Sequence, residues 1–152
     1  MKNLFIKKIV TPTITAGAYS SGDNVGGKMT FQIPPSVNGG RAQIRSVTLT
    51  DKAKQQVDTD IVIFDSDPTS TTFTDNVEMD IDDSDLDKII LNEDLRTHNP
   101  YKDNGISQNL SLQTAVEPNT SYFATIVTRG TPTYASTSDL SVVIIIEYYN
   151  GQ

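Results

Sequence analysis

The chain has no cysteine and no tryptophan, a single histidine, and no apolar run longer than the five residues from Val142 to Ile146. Each absence excludes something. Without cysteine there is no disulfide framework, no thiolate nucleophile and no cysteine-based zinc site. A lone histidine cannot build a multi-histidine metal centre. It also leaves His98 as the one conventional general base for a nucleophile. His98 lies in the polar stretch His98-Asn99-Pro100-Tyr101-Lys102-Asp103-Asn104-Gly105, which reads as an exposed loop. The lack of tryptophan counts against a sugar-stacking surface. Five apolar residues fall far short of the roughly 20 needed for a membrane-spanning helix. The N-terminus from Met1 to Lys8 starts basic, but it lacks the apolar stretch and small-residue cleavage site of a signal peptide. Nothing among the glycines forms a phosphate-binding fingerprint: Gly22, Gly26 and Gly27 are followed by no lysine–hydroxyl pair of the P-loop type. The expectation is a protein that is not an enzyme and needs no cofactor.

What is present is polar and turn-rich. Hydrophobic residues make up 36% of the 152 positions, and 19 acidic against 12 basic residues give a formal charge of -7. That length suits one domain, and the sign of the charge disfavours nucleic acid and anionic membranes as direct partners.

The hydrophobic pattern is that of short strands. Phe5 to Val10 reads as a first strand or an extended arm, with residues 11–152 forming a single β-sandwich domain. Pro12 places that first run at a sheet edge. Met29, Phe31 and Ile33 alternate with polar residues, and Pro34-Pro35 and Asn38-Gly39-Gly40 end and turn the strand. From Arg41 to Thr50, Val47 and Leu49 share a face while Ile44 has the opposite parity, which predicts a bulge or a two-sided strand. Ile61 to Phe64 is a short β-branched run, hence a buried strand. Glu117-Pro118-Asn119-Thr120 is a turn before the strand Tyr122 to Thr128. Leu140 to Tyr149 is apolar on both faces and belongs in mid-sheet or under a partner. Asn92 to Ser107 reads as a long exposed loop. One segment departs from the β pattern: Leu86, Ile89 and Ile90 stand at helix spacing, with Asp82 as N-cap, predicting one short helix over about 82–91. The fold class expected is all-β, a jelly-roll-like sandwich of about eight strands with that one helix.

Two sets of residues are candidates for a site. Asp83, Asp85 and Asp87 have the one-three-five spacing of a calcium loop, although Lys88 stands where such a loop needs glycine. Phe5, Ile6 and Ile9 on the first strand, with Arg129, Tyr148 and Tyr149, are the residue types that anchor interfaces.

The stretches Thr15 to Gly27, Ser46 to Lys52, Ile63 to Pro68 and Val127 to Tyr134, in that order and spacing, resemble a family of small tailed-bacteriophage proteins that accompany head genes. The resemblance covers about Val10 to Leu140 and departs at Leu91-Asn92-Glu93-Asp94. It implies a virion component, above all a capsid decoration (cement) protein made in the bacterial cytoplasm. Such a protein would sit on the capsid surface, bound to the major capsid protein and commonly associated as a homotrimer. Other virion parts (a head-tail connector, a head-fibre base, a tail component) and a carbohydrate- or receptor-binding module are the alternatives. The resemblance supplies no catalytic residues.

Overall fold

Alternation with a period of two commits most of the chain to strands that bury one face. A computed structural model describes residues 3–33, 41–116 and 121–149 and shows where those faces meet. The described residues form ten strands: β1 (Asn3–Val10), β2 (Asn24–Gln32), β3 (Arg41–Asp51), β4 (Thr59–Phe64), β5 (Ile89–Leu95), β6 (His98–Pro100), β7 (Gly105–Asn109), β8 (Thr114–Val116), β9 (Ser121–Thr128) and β10 (Leu140–Tyr149). The expected turns at Pro34 to Gly40 and Glu117 to Thr120 lie outside the described residues.

The pairing is nested. β1 pairs β10, β2 pairs β9, β3 pairs β7 and β8, and β4 pairs β5, all antiparallel. This is one long hairpin whose successive pairs fall in opposite sheets. Rolling it brings β10 beside β3 and β9 beside β4. The first sheet then runs β1-β10-β3-β7-β6, with β8 also on β3, and the second runs β2-β9-β4-β5. That winding is a jelly roll, as the turn spacing predicts, with ten strands rather than eight because three short ones follow β5.

One apolar cluster draws from both sheets and fixes them face to face. Val25, Met29 and Phe31 of β2, Ile61 and Ile63 of β4, and Ala124 and Ile126 of β9 meet Ile44, Val47 and Leu49 of β3 and Val142, Ile144 and Ile146 of β10. β10 lies in mid-sheet between β1 and β3, as its two-sided apolar run requires. β4 is buried at every position. Its second face is covered by residues 65–88, from which Phe73, Met79 and Ile81 pack on Val62, Phe64 and Val127. The parity change in β3 is a bulge: Ile145 faces Ser46 but Ile146 faces Ile44, so Arg45 is the extra residue.

Two expectations are corrected. The one short helix expected over about 82–91 is present but ends at Lys88. Asp83–Lys88 is a single short 3-10 helix, capped by Asp82, whose side chain accepts from Ser84 N, and Ile89 already begins β5. The physical reason is that Ile89-Ile90-Leu91 reaches β4, where Phe64 pairs Ile89 and Ile63 pairs Leu91, with Ile90 the bulged residue. Leu86 is left 48% exposed. Its replacement by alanine should therefore change stability by less than about 0.5 kcal/mol, which urea unfolding would check. Second, Asn92 to Ser107 is no long loop: it carries the end of β5 and the β6–β7 hairpin, closed where Tyr101 N donates to Asn104 O at 2.7 Å. Gly26-Gly27 forms a bulge inside β2, both residues at positive φ.

Candidate functional site

The first sheet turns one face to the core, and among the described residues no segment is packed over its other face as 65–88 is over the second sheet. Pairing of β1 with β10 puts Phe5, Lys7 and Ile9 on the outward side with Ile145, Val143 and Glu147. Phe5 is 58% and Ile9 57% exposed, whereas Val143 and Ile145 are half-buried. β1 is the sheet edge, and Asn3 to Val10 is paired along its length rather than free. Leu4 and Ile6 take the other parity; Ile6 packs against the core. Tyr148 is buried in the core, and burial and the neighbouring Tyr122 push its phenol pKa up. So, of the six interface candidates, Phe5, Ile9, Tyr149 and Arg129 present surface that a partner could touch, while Ile6 and Tyr148 serve the interior.

The centre of the outward face holds a buried carboxylate. Glu147 accepts from Asn3 Nδ2 at 2.7 Å, Gln43 Nε2 at 3.0 Å and the Tyr149 hydroxyl at 2.7 Å, with Arg45 Nε at 3.4 Å. The Gln43 amide also donates to the Tyr149 hydroxyl. The hydrogen bond from Gln43, then that from Tyr149, outweighs desolvation and holds the Glu147 carboxyl below its usual range, and Tyr149 is raised in turn by the same carboxylate. This ties β1, β3 and β10 together beneath the exposed apolar side chains. It also fixes the orientation of Tyr149 and Arg45 at the surface.

The second sheet shows a different outer face. Residues 65–88 leave a groove of about 400 Å³ whose floor is Val62, Met79, Ile81, Ile89 and Val127, with Asn92 and Arg129 at its polar side. Arg129 is not free. Its Nε and Nη2 lie 2.7 and 2.6 Å from Asp60 Oδ2, while Arg96 Nη2 lies 2.8 Å from Asp60 Oδ1 and 2.5 Å from Asp94. Asp60 is buried, so two guanidinium groups neutralise a carboxylate that would otherwise be costly. The acidic stretch has a comparable anchor. The Asp85 side chain has no exposed surface; its Oδ2 accepts from Ser70 N, Thr71 N and Thr71 Oγ1 at 3.0, 2.7 and 2.8 Å, and its Oδ1 from Lys88 Nζ at 2.7 Å. Desolvation acts to raise the Asp85 carboxyl, but Lys88 and Thr71 win and bring it down to about 2.

That geometry bears on the calcium reading. Asp85 spends both oxygens on the protein, Asp83 and Asp87 are exposed, and among the described residues no three carboxylate or imidazole groups converge as a metal site.

His98 is misplaced by sequence reasoning. It sits in β6, where Nδ1 is 2.6 Å from Ser107 Oγ and Nε2 is 3.1 Å from Asp58 Oδ1. Serine, histidine and aspartate in a chain resemble a hydrolase triad. Ser107, however, is buried in β7, and neither it nor His98 lines the groove above. The array works as a clip joining the β6–β7 hairpin to the segment before β4. No local signal announces it, since Asp58 lies 40 residues away in sequence.

A third cluster gathers parts of two stretches on which the phage resemblance rests. Tyr19 and Tyr134 meet edge to face with ring centres 5.7 Å apart, Tyr134 N donates to Gly17 O, and Tyr19 N donates to Pro132 O. Asp75 closes the cluster, accepting from Thr15 Oγ1 at 2.6 Å, the Tyr19 hydroxyl at 2.8 Å and Gly26 N at 2.6 Å. No protein-family model matches the chain, and no curated protein matches it.

Proposed function

We propose that this chain is a structural virion protein, a capsid decoration protein that stabilises a phage head through contacts with the major capsid protein and with its own copies. The observation that carries this reading is the uncovered outer face of the first sheet. Two large apolar side chains, Phe5 and Ile9, stand exposed on an edge strand whose partner strand adds half-buried Val143 and Ile145. Natural sheets protect such edges unless another surface covers them. The stiff, doubly covered β4 and the internally neutralised carboxylates suit a module that resists deformation rather than one that opens for chemistry.

The test is attachment to particles. Phe5→Asp with Ile9→Asp should lower the copies per shell by at least tenfold, since two desolvated anchors are each worth on the order of 1–2 kcal/mol. The melting temperature should stay near that of the unaltered chain, because both side chains are exposed. Removing residues 1–10 is a poorer test, since it takes Ile6 and Val10 from the core margin. Full occupancy by the double variant would refute this use of the face. A low copy number at one vertex or along the tail would favour a connector, head-fibre base or tail part instead. Selective binding on a glycan array would favour a receptor-binding module.

A further inference from the structure

The two outer faces of the sandwich carry opposite charge. On the first sheet, the outward side includes Lys7, Arg41 beside Tyr149, and the bulged Arg45. Its one acid on those strands is Glu147, already engaged by its neighbours. On the opposite side, residues 65–88 contain nine carboxylates and one lysine. Asp80, Asp83 and Asp87 are exposed there, and so are two large apolar side chains, Val77 and Leu86. Each face thus combines exposed apolar side chains with an excess of one charge: Lys7, Arg41 and Arg45 against Glu147 on the first, nine carboxylates against Lys88 in residues 65–88 on the second.

We infer that a second copy of this chain is the occupant: the first-sheet outer face of one copy docks head to tail on the 65–88 face of the next. Copies with a net charge of -7 repel one another at a distance. Meeting through like faces would place lysine and arginine against their own kind, or carboxylates against carboxylates, which is penalised. Only unlike faces attract, and that pairing lets Phe5 and Ile9 be desolvated against Val77 and Leu86. Since the two faces lie on opposite sides of the sandwich, the contact is heterologous. It repeats from copy to copy, and either closes a ring or extends a filament. The inference deepens the proposed self-associating role and rests on it for its setting on a shell, but its test needs no particles.

The experiment is sedimentation equilibrium on the purified full chain and two variants. Phe5→Asp/Lys7→Asp removes the first face; Asp83→Asn/Leu86→Asn/Asp87→Asn removes the second. All five positions are exposed, and melting curves check that the variants are folded. The unaltered chain should associate with rising concentration, with an association constant that falls at least tenfold between low and high salt. Each variant alone should associate at least tenfold more weakly. Their equimolar mixture should form a one-to-one dimer that grows no further, because each copy retains only one of the two faces. Three outcomes overturn the inference: a monomeric unaltered chain in every condition, a second-face variant that associates as well as the unaltered chain (which means like faces pair), or a mixture that stays monomeric. A chain that is monomeric in solution yet decorates shells defeats this inference and leaves the proposed function standing. A chain that associates as described but is absent from particles does the reverse.

Discussion

Gly26→Ala should destabilise the protein by about 3 kcal/mol, the sum of a left-handed backbone penalty and an overpacking cost. Gly26 has φ +82°, and a Cβ there would stand 2.5 Å from Pro12 Cβ, 3.0 Å from Pro12 Cγ and 3.1 Å from Ile14 Cγ2. Neither neighbour can yield easily. Pro12 and Ile14 are buried, and Gly26 N is held by Asp75, which also binds Thr15 and Tyr19. Turning the residue aside would therefore disturb the segment after β1, the bulge in β2 and the 65–88 cover together. For a chain of this length the melting temperature should fall by about 6–12 °C. Gly27→Ala provides the control. Its φ is +73°, but the nearest atom to a new Cβ is Phe73 O at 3.4 Å, so the backbone penalty of about 1 kcal/mol stands nearly alone. Equal losses at the two positions would show that the Pro12 contact is not what makes Gly26 necessary.

The second large effect is expected at Asp85. Asp85→Asn replaces an acceptor-only carboxylate with an amide whose nitrogen would face donors: Ser70 N, Thr71 N and Thr71 Oγ1 on one side, Lys88 on the other. At neutral pH the variant should melt about 5–10 °C lower. The pH dependence gives a sharper signature. The folded carboxyl is held at about 2, below an unfolded value of about 3.9. A depressed folded pKa means the unfolded state binds more protons, so this stabilisation is fully present above the unfolded value. It is lost as pH falls through the folded one. Asp82 and Glu147 are also held below their usual range, so the unaltered chain shares its acid sensitivity among several groups. The gap in melting temperature between the unaltered chain and the variant should nevertheless narrow from about pH 4 to about pH 2. A constant gap across that window would mean that the Asp85 charge contributes nothing.

Strands whose sequence shows a simple pattern were legible in it. β2 follows from the alternation of Met29, Phe31 and Ile33, and β10 from an apolar run too continuous for a one-faced edge; the wrong parity of Ile44 marks an irregularity in β3, and the register with β10 makes it a bulge. The short helix was legible from Asp82 onward but its end was not, because Ile89-Ile90-Leu91 satisfy helix spacing and strand pairing equally well; contact with Phe64 and Ile63 on β4 decides between them. Sequence separation hid the site. Asp60 is neutralised from 36 and 69 residues away, and Glu147 from 104 and 144 residues away as well as from Tyr149 beside it. A buried carboxylate with distant partners is indistinguishable in sequence from a solvated one. His98 shows the same limit: its polar neighbours suggest a loop, while its hydrogen-bond partners come from β7 and the segment before β4. The interface candidates divide by parity. Along β1, Phe5 and Ile9 fall on the outward side and Ile6 on the inward side, a distinction that needs the register with β10.

The central claim is that the uncovered outer face of the first sheet is this protein's working surface and that its setting is a phage shell. Electron cryomicroscopy of purified particles tests it most directly. The account predicts a jelly roll bound on the outside of the head in many copies, with Phe5 and Ile9 buried against a neighbour. Particles without the chain, or a bound chain whose Phe5 and Ile9 face solvent, would contradict it.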